Sequence, residues 1–476
     1  MSRVIRFGAV TAALVLVATF APAAPVRAVA DTLYVADVPA AGAGGSCEEP
    51  DFATGADPDN EAIQDALDAS QADPAIVEVH ICEGEYVLQA TLEILEADVT
   101  ISGDGPEATV ISGNELVKIM QVCTGYHART IRDLSLVDGY NDDEWGGAIT
   151  FDGELTLDNV HLLRNVAEAG GGAIDNCGDD YDLLVVRDSL VSENVARGSM
   201  ADAFGGGALL VWGGEVIVER STFTENQALG LLAADDGGAI FASEVSVTNS
   251  LFNLNESAGS GGAILADISF SSVNSRFEGN EADDGYGGAL YLSGLTHVRG
   301  TTFTQNSAYD ADESGDDGEG GAINQETDCA GFLVERSTFT QNEAQDSGGA
   351  INFNDCEPGE IVRVDGSTFT SNEAVYDAGG AIDEDNEAYL QINRNRFSAN
   401  RVAPTGDYDE GTGGAVWMNH GRLRGNTFSG NTARVCGAAV YVSSHRGDAR
   451  YAQRNNRFQS NRADGARTRW DVCVGT

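Results

Sequence analysis

Two tetrapeptides alternate down the chain, and their spacing leaves few folds open. The first is FxxN, with Leu or Val allowed for Phe. It occurs eleven times at intervals of 25 to 36 residues, from Leu162–Asn165 through Phe223–Asn226 and Phe303–Asn306 to Phe458–Asn461. The second is GGA followed by an aliphatic residue. Its copies begin at Gly146, Gly171, Gly206, Gly237, Gly261, Gly287, Gly320, Gly348, Gly379 and Gly413, and Cys436-Gly437-Ala438-Ala439-Val440 is a degraded eleventh. A fixed period of about 20–50 residues marks a solenoid or array.

Within each repeat the apolar residues recur at i and i+2, as in Leu155-Thr156-Leu157, Val216-Ile217-Val218 and Val245-Ser246-Val247. That is the period of a strand. The 58 glycines and 9 prolines leave turn-making to Gly, Asn and Asp. One rung cannot bury its apolar face alone, so successive rungs must stack. The expected fold is all-β, a single-stranded parallel β-helix. Phe points into the bore and stacks on the Phe of neighbouring rungs. Asn adopts the left-handed conformation at a turn, and stacked Asn side chains bond from rung to rung. The Gly pair lets the chain turn back without a Cβ. About 13 rungs at about 4.8 Å each give a rod of about 60 Å.

The paired motifs resemble the repeats of chlamydial polymorphic outer-membrane proteins, which alternate GGA[ILV] and FxxN. The resemblance covers Trp145 to Asn461. It implies a right-handed coil and a passenger displayed on a surface, often as an adhesin.

Met1 to Ala30 reads as a secretory signal: Arg3 and Arg6, an apolar run from Ala9 to Phe20, and Ala28-Val29-Ala30 before the cut. No later segment is apolar enough to span a membrane, so the mature chain is expected to be secreted or held at the cell surface by non-covalent contacts. Residues 31–115 form an N-terminal cap and the first rungs, 116–465 the repeat-bearing β-helix, and 466–476 a tail. The cap contains the one convincing helix, Asn60 to Ser70, with Ile63, Ala66 and Leu67 on one face and Asp59 as its N-cap. After it come Val77-Glu78-Val79, Gly84-Glu85-Tyr86 and Val99-Thr100-Ile101-Ser102-Gly103. This order is similar to the start of many pectate-lyase-like β-helices.

Eight cysteines in an exported chain imply disulfides. Cys329 and Cys356 hold nearly the same place on consecutive rungs, where stacking brings Cα atoms to about 5 Å. Cys47 with Cys82 would tie down the cap, and Cys436 with Cys473 the far end. Cys123 with Cys177 is what remains, across two rungs.

The charge narrows the partners. The formal net charge is −48, and without the three signal arginines 24 basic residues face 75 acidic ones. Such a field repels nucleic acid and anionic lipid. Acidic loops precede the GGA turns at Asp142-Asp143-Glu144, Asp235-Asp236, Asp283-Asp284, Asp316-Asp317, Asp377 and Asp409-Glu410. Stacked, they form a ridge suited to solvation or to weak Ca²⁺ binding. No cofactor is required. No catalytic set stands out. The six His residues are scattered, Val416-Trp417-Met418-Asn419-His420 only faintly resembles a pectate-lyase signature, and lone arginines near the FxxN strands (Arg220, Arg336, Arg363, Arg394) are expected to pair with carboxylates. The reading is an extracellular, adhesin-like interaction protein with a carbohydrate or protein surface as partner. The alternative is a polysaccharide lyase or glycoside hydrolase with its groove at a break in the repeat: 195–204, 307–319 or 401–412.

Overall fold

One turn of the coil shows how the repeat folds. After the Gly287-Gly288 turn come the strands Leu290–Leu292, Leu295–Arg299, Thr302–Thr304 and Ser307–Ala308. Each pairs in parallel with its counterpart in the next turn: Leu290 with Ile323, Val298 with Val334, Phe303 with Phe339 and Ala308 with Ala344. The computed structural model describes residues 32–42, 44–55, 59–94, 98–123, 125, 127–142, 145–177, 181–198, 205–230, 236–311, 318–384, 386–403, 411–443, 451–463 and 471–475. The expected signal segment, 1–30, lies outside them. The whole is a parallel β-solenoid of about 12 turns with one short helix. Each turn lays strands in four places, called here the first to the fourth sheet in the order in which a turn visits them, of which the first three are joined into one continuous hydrogen-bonded sheet.

In the third sheet only the central residue of each strand faces the bore. Phe223, Phe252, Phe277, Phe303, Phe339, Phe369, Phe397, Phe428 and Phe458 form one column with centroids 4.7 to 5.1 Å apart and planes within 11° of parallel. Ring spacing therefore equals strand spacing. Leu162 and Val191 occupy the same column ahead of Phe223.

Three residues on, eleven asparagines from Asn165 to Asn461 make a second column. Asn280 is representative. Its Nδ2 donates to Asn306 Oδ1 at 2.9 Å and to the Phe252 carbonyl at 3.1 Å. Its Oδ1 accepts from Asn255 Nδ2 at 2.9 Å and from the Asn255 backbone N–H at 3.1 Å. Each amide is thus satisfied inside a buried turn, which offsets the cost of burying it. The left-handed residue is the one before the Asn, contrary to the expectation from sequence: Glu193, Glu225, Leu254, Gln305, Gln341, Ser371, Ala399 and Ser460 have φ of 53° to 57°. The Asn itself is not left-handed, and its side chain reaches both neighbouring turns.

A further ladder runs two residues before the Phe column. Ser189 N–H donates to Ser221 Oγ, Ser221 to Ser250 and Ser250 to Ser275 at 3.1 to 3.2 Å, and Asn395 and Asn426 continue it toward the C-terminal end.

The two glycines of GGA do different jobs. The first has φ between 59° and 73° in every copy, a conformation costly for other residues. A Cβ on the second would strike backbone: at Gly288 it would lie 2.4 Å from the Gly321 carbonyl oxygen and 2.5 Å from Ser307 C. Ala438 stands at this second position in the degraded copy, where the sequence has no further GGA turn to present a carbonyl.

The helix runs from Asp59 to Ala72 and buries Ala62, Ile63, Ala66, Leu67 and Ser70 over the start of the coil. Asp59 is inside it. Its carboxylate accepts from Val87 N–H at 2.6 Å, so it fastens the helix to a rung. Gln64 trades two bonds with the backbone of Glu93, at 2.8 and 2.9 Å, and so acts as a strand partner. The expected tail at 466–476 is corrected in part. Val472–Val474 pairs with Val440–Val442 as one more strand of the first sheet, because Val472 packs on the core and Cys473 is joined to Cys436. The other bridges join Cys47 to Cys82, Cys123 to Cys177 and Cys329 to Cys356, with Cα–Cα distances of 5.7, 5.9 and 5.4 Å.

Candidate functional site: a groove on the first sheet

The residue after GGA-aliphatic points away from the bore. In register these residues are Gln121, Thr150, Asp175, Leu210, Phe241, Leu265, Tyr291, Asn324, Asn352 and Asp383, and the row continues at Trp417 and Tyr441. Its middle is apolar. Leu210, Phe241 and Leu265 are buried outside the bore, against Trp145 and Tyr291. Trp212 stacks on Phe241 with centroids 5.7 Å apart and planes 9° from parallel, and it is 44% exposed. Tyr286 stacks on Tyr291 at 6.0 Å. Leu210, Phe241 and Leu265 thus form a second hydrophobic cluster outside the bore, with the exposed Trp212 ring stacked over it.

At the N-terminal end of the row lies a cleft of about 410 Å³, lined by Lys118, Gln121, Trp145, Thr150, Asp175, Asn176, Leu210, Trp212 and the Cys123–Cys177 bridge. Lys118 is the sole lysine of the chain and is buried; its Nζ donates to Thr150 Oγ1 at 3.2 Å. Asp175 is also buried. Asn176 holds the Trp212 backbone at both its N–H (2.8 Å) and its carbonyl (2.9 Å), and Asp182 accepts from Asn176 Nδ2 at 2.9 Å. The exposed indole therefore stands on a fixed backbone. The disulfide straddles the Phe151 strand, since Val122 pairs with Phe151 and Phe151 with Asn176.

Beyond the aromatic stretch the row turns polar. Asn352 Nδ2 donates to Glu319 (2.8 Å) and Asn324 (3.0 Å), and Asn354 and Asn324 both donate to Glu326. Burial, followed by the nearby Glu326 and Asp236 charges, pushes the Tyr291 phenol well above its ordinary range, so it stays a neutral donor. Aromatic faces beside amides and carboxylates suit a ligand that is apolar on one face and hydroxyl-rich on its edges.

The residues singled out from sequence lie elsewhere. Of the acidic ridge, Asp142, Asp236, Asp283, Asp284 and Asp377 are within the described residues. Asp236 accepts from Ser260 N–H at 2.6 Å and Asp284 from Ala311 N–H at 2.9 Å, so these two brace loop backbone. Among the described residues, the groupings with metal-ligand spacing are Cys47, His80, Cys82 and Cys329, Cys356, Glu360, and their sulfurs are in disulfides. His80, His127, His161 and His297 each face a carboxylate on a different turn. The expected arginine pairing holds for Arg220, which meets Asp188 at 2.7 Å. It is corrected for Arg336, Arg363 and Arg394, which have no carboxylate partner among the described residues. The place in the column where Asp188 serves Arg220 is taken by Gly300, Gly366 and Gly425 beside Arg336 and Arg394. Residues 199–204, 312–317 and 404–410 of the three repeat breaks lie outside the described residues. The groove row itself was readable as the variable position after each GGA-aliphatic: T, D, L, F, L, Y, N, N, D, W and Y.

These features define a β-helix protein with a groove along its first sheet, and one family model agrees on the fold. Residues 149–380 match the family model described as right handed beta helix region. A curated relative, "Probable autotransporter YfaL" of Escherichia coli (strain K12), is 31% identical over 184 residues, 32% of this chain. The chain spans 14% of that relative's length. Among solved structures, the catalytic unit of a GH87 alpha-1,3-glucanase from Streptomyces thermodiastaticus is 14% identical over 87% of this chain and 66% of its own, with a TM-score of 0.41. PfbA, a surface adhesin of Streptococcus pneumoniae, is 12% identical over 86% and 89%, with a TM-score of 0.36.

Proposed function

We propose that this is an exported, non-enzymatic β-helical protein that presents the first-sheet groove to a surface partner, in an adhesin-like role. The observation that carries the reading is the aromatic row itself, with Trp212 held half-exposed on Phe241. The GGA/FxxN repeats, similar to those of surface-displayed passengers, and the stretch shared with a protein named as an autotransporter support export and display. A glycan is the favoured partner, because stacked aromatic faces flanked by amides and carboxylates match sugar rings. Weak Ca²⁺ binding along the acidic ridge is part of the proposal.

The test is a glycan-array screen of residues 31–476 with and without Ca²⁺. Binding that falls about tenfold or more in Trp212→Ala, with unchanged melting, supports the reading. Binding that is indifferent to Trp212 sinks it. A second reading rests on Lys118 and Asp175 lining one cleft. A buried lysine in its neutral form is a base that takes a proton from a uronic acid, as a lyase requires. Ultraviolet absorption from unsaturated products, abolished by Lys118→Met, would replace the binding role with catalysis.

A further inference from the structure

Charge is partitioned along this chain. Residues 31–387 carry 69 acidic and 11 basic side chains, whereas residues 388–476 carry 6 acidic and 13 arginines. The field that repels anions therefore belongs to the body of the rod, and the C-terminal turns oppose it.

Pairing differs in degree between the two regions: seven of the ten body arginines meet a carboxylate, Arg299, Arg336 and Arg363 being the exceptions among the described residues, whereas at the C-terminal turns Arg401 meets Glu373 and six others stand without such a partner. In the body, Arg129, Arg132, Arg164, Arg187, Arg197, Arg220 and Arg276 each meet a carboxylate. At the C-terminal turns, Arg394, Arg396, Arg422, Arg424, Arg454 and Arg457 are exposed and have no carboxylate partner among the described residues. Three of them converge. Arg394, Arg422 and Arg424 line a cleft of about 380 Å³ together with Gln391 and Asn393. Arg422 and Arg424 are two residues apart on His420–Arg424, so both face outward, about 7 Å apart. Gln391 and Asn393 stand opposite them one turn earlier, and Arg454 stands opposite Arg424 one turn later, about 4.8 Å away. Like charges placed directly opposite on adjacent strands repel. The free protein thus holds a fixed cationic grid that a row of oxyanions would relieve. Guanidinium forks and side-chain amides are the donors that carboxylate and sulfate oxygens accept from.

We infer that the outer face of the second sheet at the C-terminal turns binds an acidic polysaccharide, with Arg394, Arg422 and Arg424 as its oxyanion contacts. The site is separate from the aromatic groove and independent of it. The acidic body excludes such a polymer from the rest of the rod, so it is held at one end only.

The experiment uses residues 31–476 and two immobilised probes, heparin for sulfate and polygalacturonate for carboxylate, with dextran as the neutral control. At about 50 mM NaCl the protein binds one or both acidic probes, and affinity falls steeply with salt. The triple variant Arg394→Gln/Arg422→Gln/Arg424→Gln loses about tenfold or more with a shallower salt slope, and its melting temperature is unchanged. The control Arg187→Gln/Arg220→Gln, which removes paired arginines of the body, leaves binding as it was. Preference between heparin and polygalacturonate identifies the oxyanion. The inference is overturned by equal binding of the triple variant, by absence of binding to both probes, or by concentration-dependent self-association that the triple variant abolishes. That last result would give the arginines to the acidic flank of a second copy.

Discussion

The asparagine column carries the largest single-residue consequences. Asn280→Ala removes four hydrogen bonds and strands the Asn255 backbone N–H, one Asn255 Nδ2 hydrogen and the Phe252 carbonyl in a buried turn, while the Asn306 oxygen keeps the backbone N–H of residue 280. The expected loss is about 3–5 kcal/mol, measurable by denaturant melting. Gly288→Ala drives a Cβ into the Gly321 carbonyl and costs about 3 kcal/mol, whereas Ala438→Gly gains nothing. Glu281 and Glu343 show the reverse of the usual acid behaviour. Burial, then Asp283 and Glu256, raises the pKa of Glu281, and burial, then Glu373, raises that of Glu343. A folded pKa above the unfolded one means the contribution to stability is present when the carboxyl is protonated and is lost as pH rises through the folded value. Glu281→Gln/Glu343→Gln should therefore melt higher than the parent at neutral pH and equal to it near pH ~3, below the ordinary glutamate pKa of ~4.3. Thermal melts at the two pH values check this. At this scale the motif letters were legible and the conformations were not. FxxN marks where an amide recurs, but the letters do not say that the left-handed φ falls on the residue before it.

Among the elements, the disulfide between consecutive turns is simplest to test. Cys329 and Cys356 are 27 residues apart, so Cys329→Ser/Cys356→Ser should cost about 3–4 kcal/mol by the loop-entropy model, read from denaturant midpoints. Their equivalent offsets from GGA made the pair readable. The strand Leu209–Glu219, which bears Trp212, is legible as a strand from its alternation, but the repeat motifs do not mark its outward face as a site. A variable position in a repeat looks like noise until register aligns its copies into one surface. The Ser ladder was hidden for a related reason. Ser221, Ser250 and Ser275 sit two residues before each Phe, where exposed turn residues are expected, and only stacking buries them. The capping helix was legible from its apolar face, while the role of Asp59 was not, because its partner Val87 lies 28 residues away.

For the whole molecule, period and pattern fixed the coil, and its uniformity explains why function was harder to read. A solenoid spreads its stability over neighbouring turns, so the repeat code speaks of packing, and the chemistry sits in the positions the code leaves free. The charge partition is a property of this scale alone, spread over every turn. The asparagine column also has a consequence as a unit. The peptide dipoles of a sheet alternate and largely cancel. The side-chain amides do not, since from Asn165 to Asn431 each Nδ2 donates to the oxygen of the next turn. The buried turn therefore carries a one-way chain of aligned amide dipoles with its positive pole at the C-terminal end, as in a helix read backwards. At that pole Asn461 Nδ2 donates to the Asp471 carboxylate at 3.0 Å. Asp471 is the anionic terminator of a molecular polarity axis, placed where such an axis attracts negative charge.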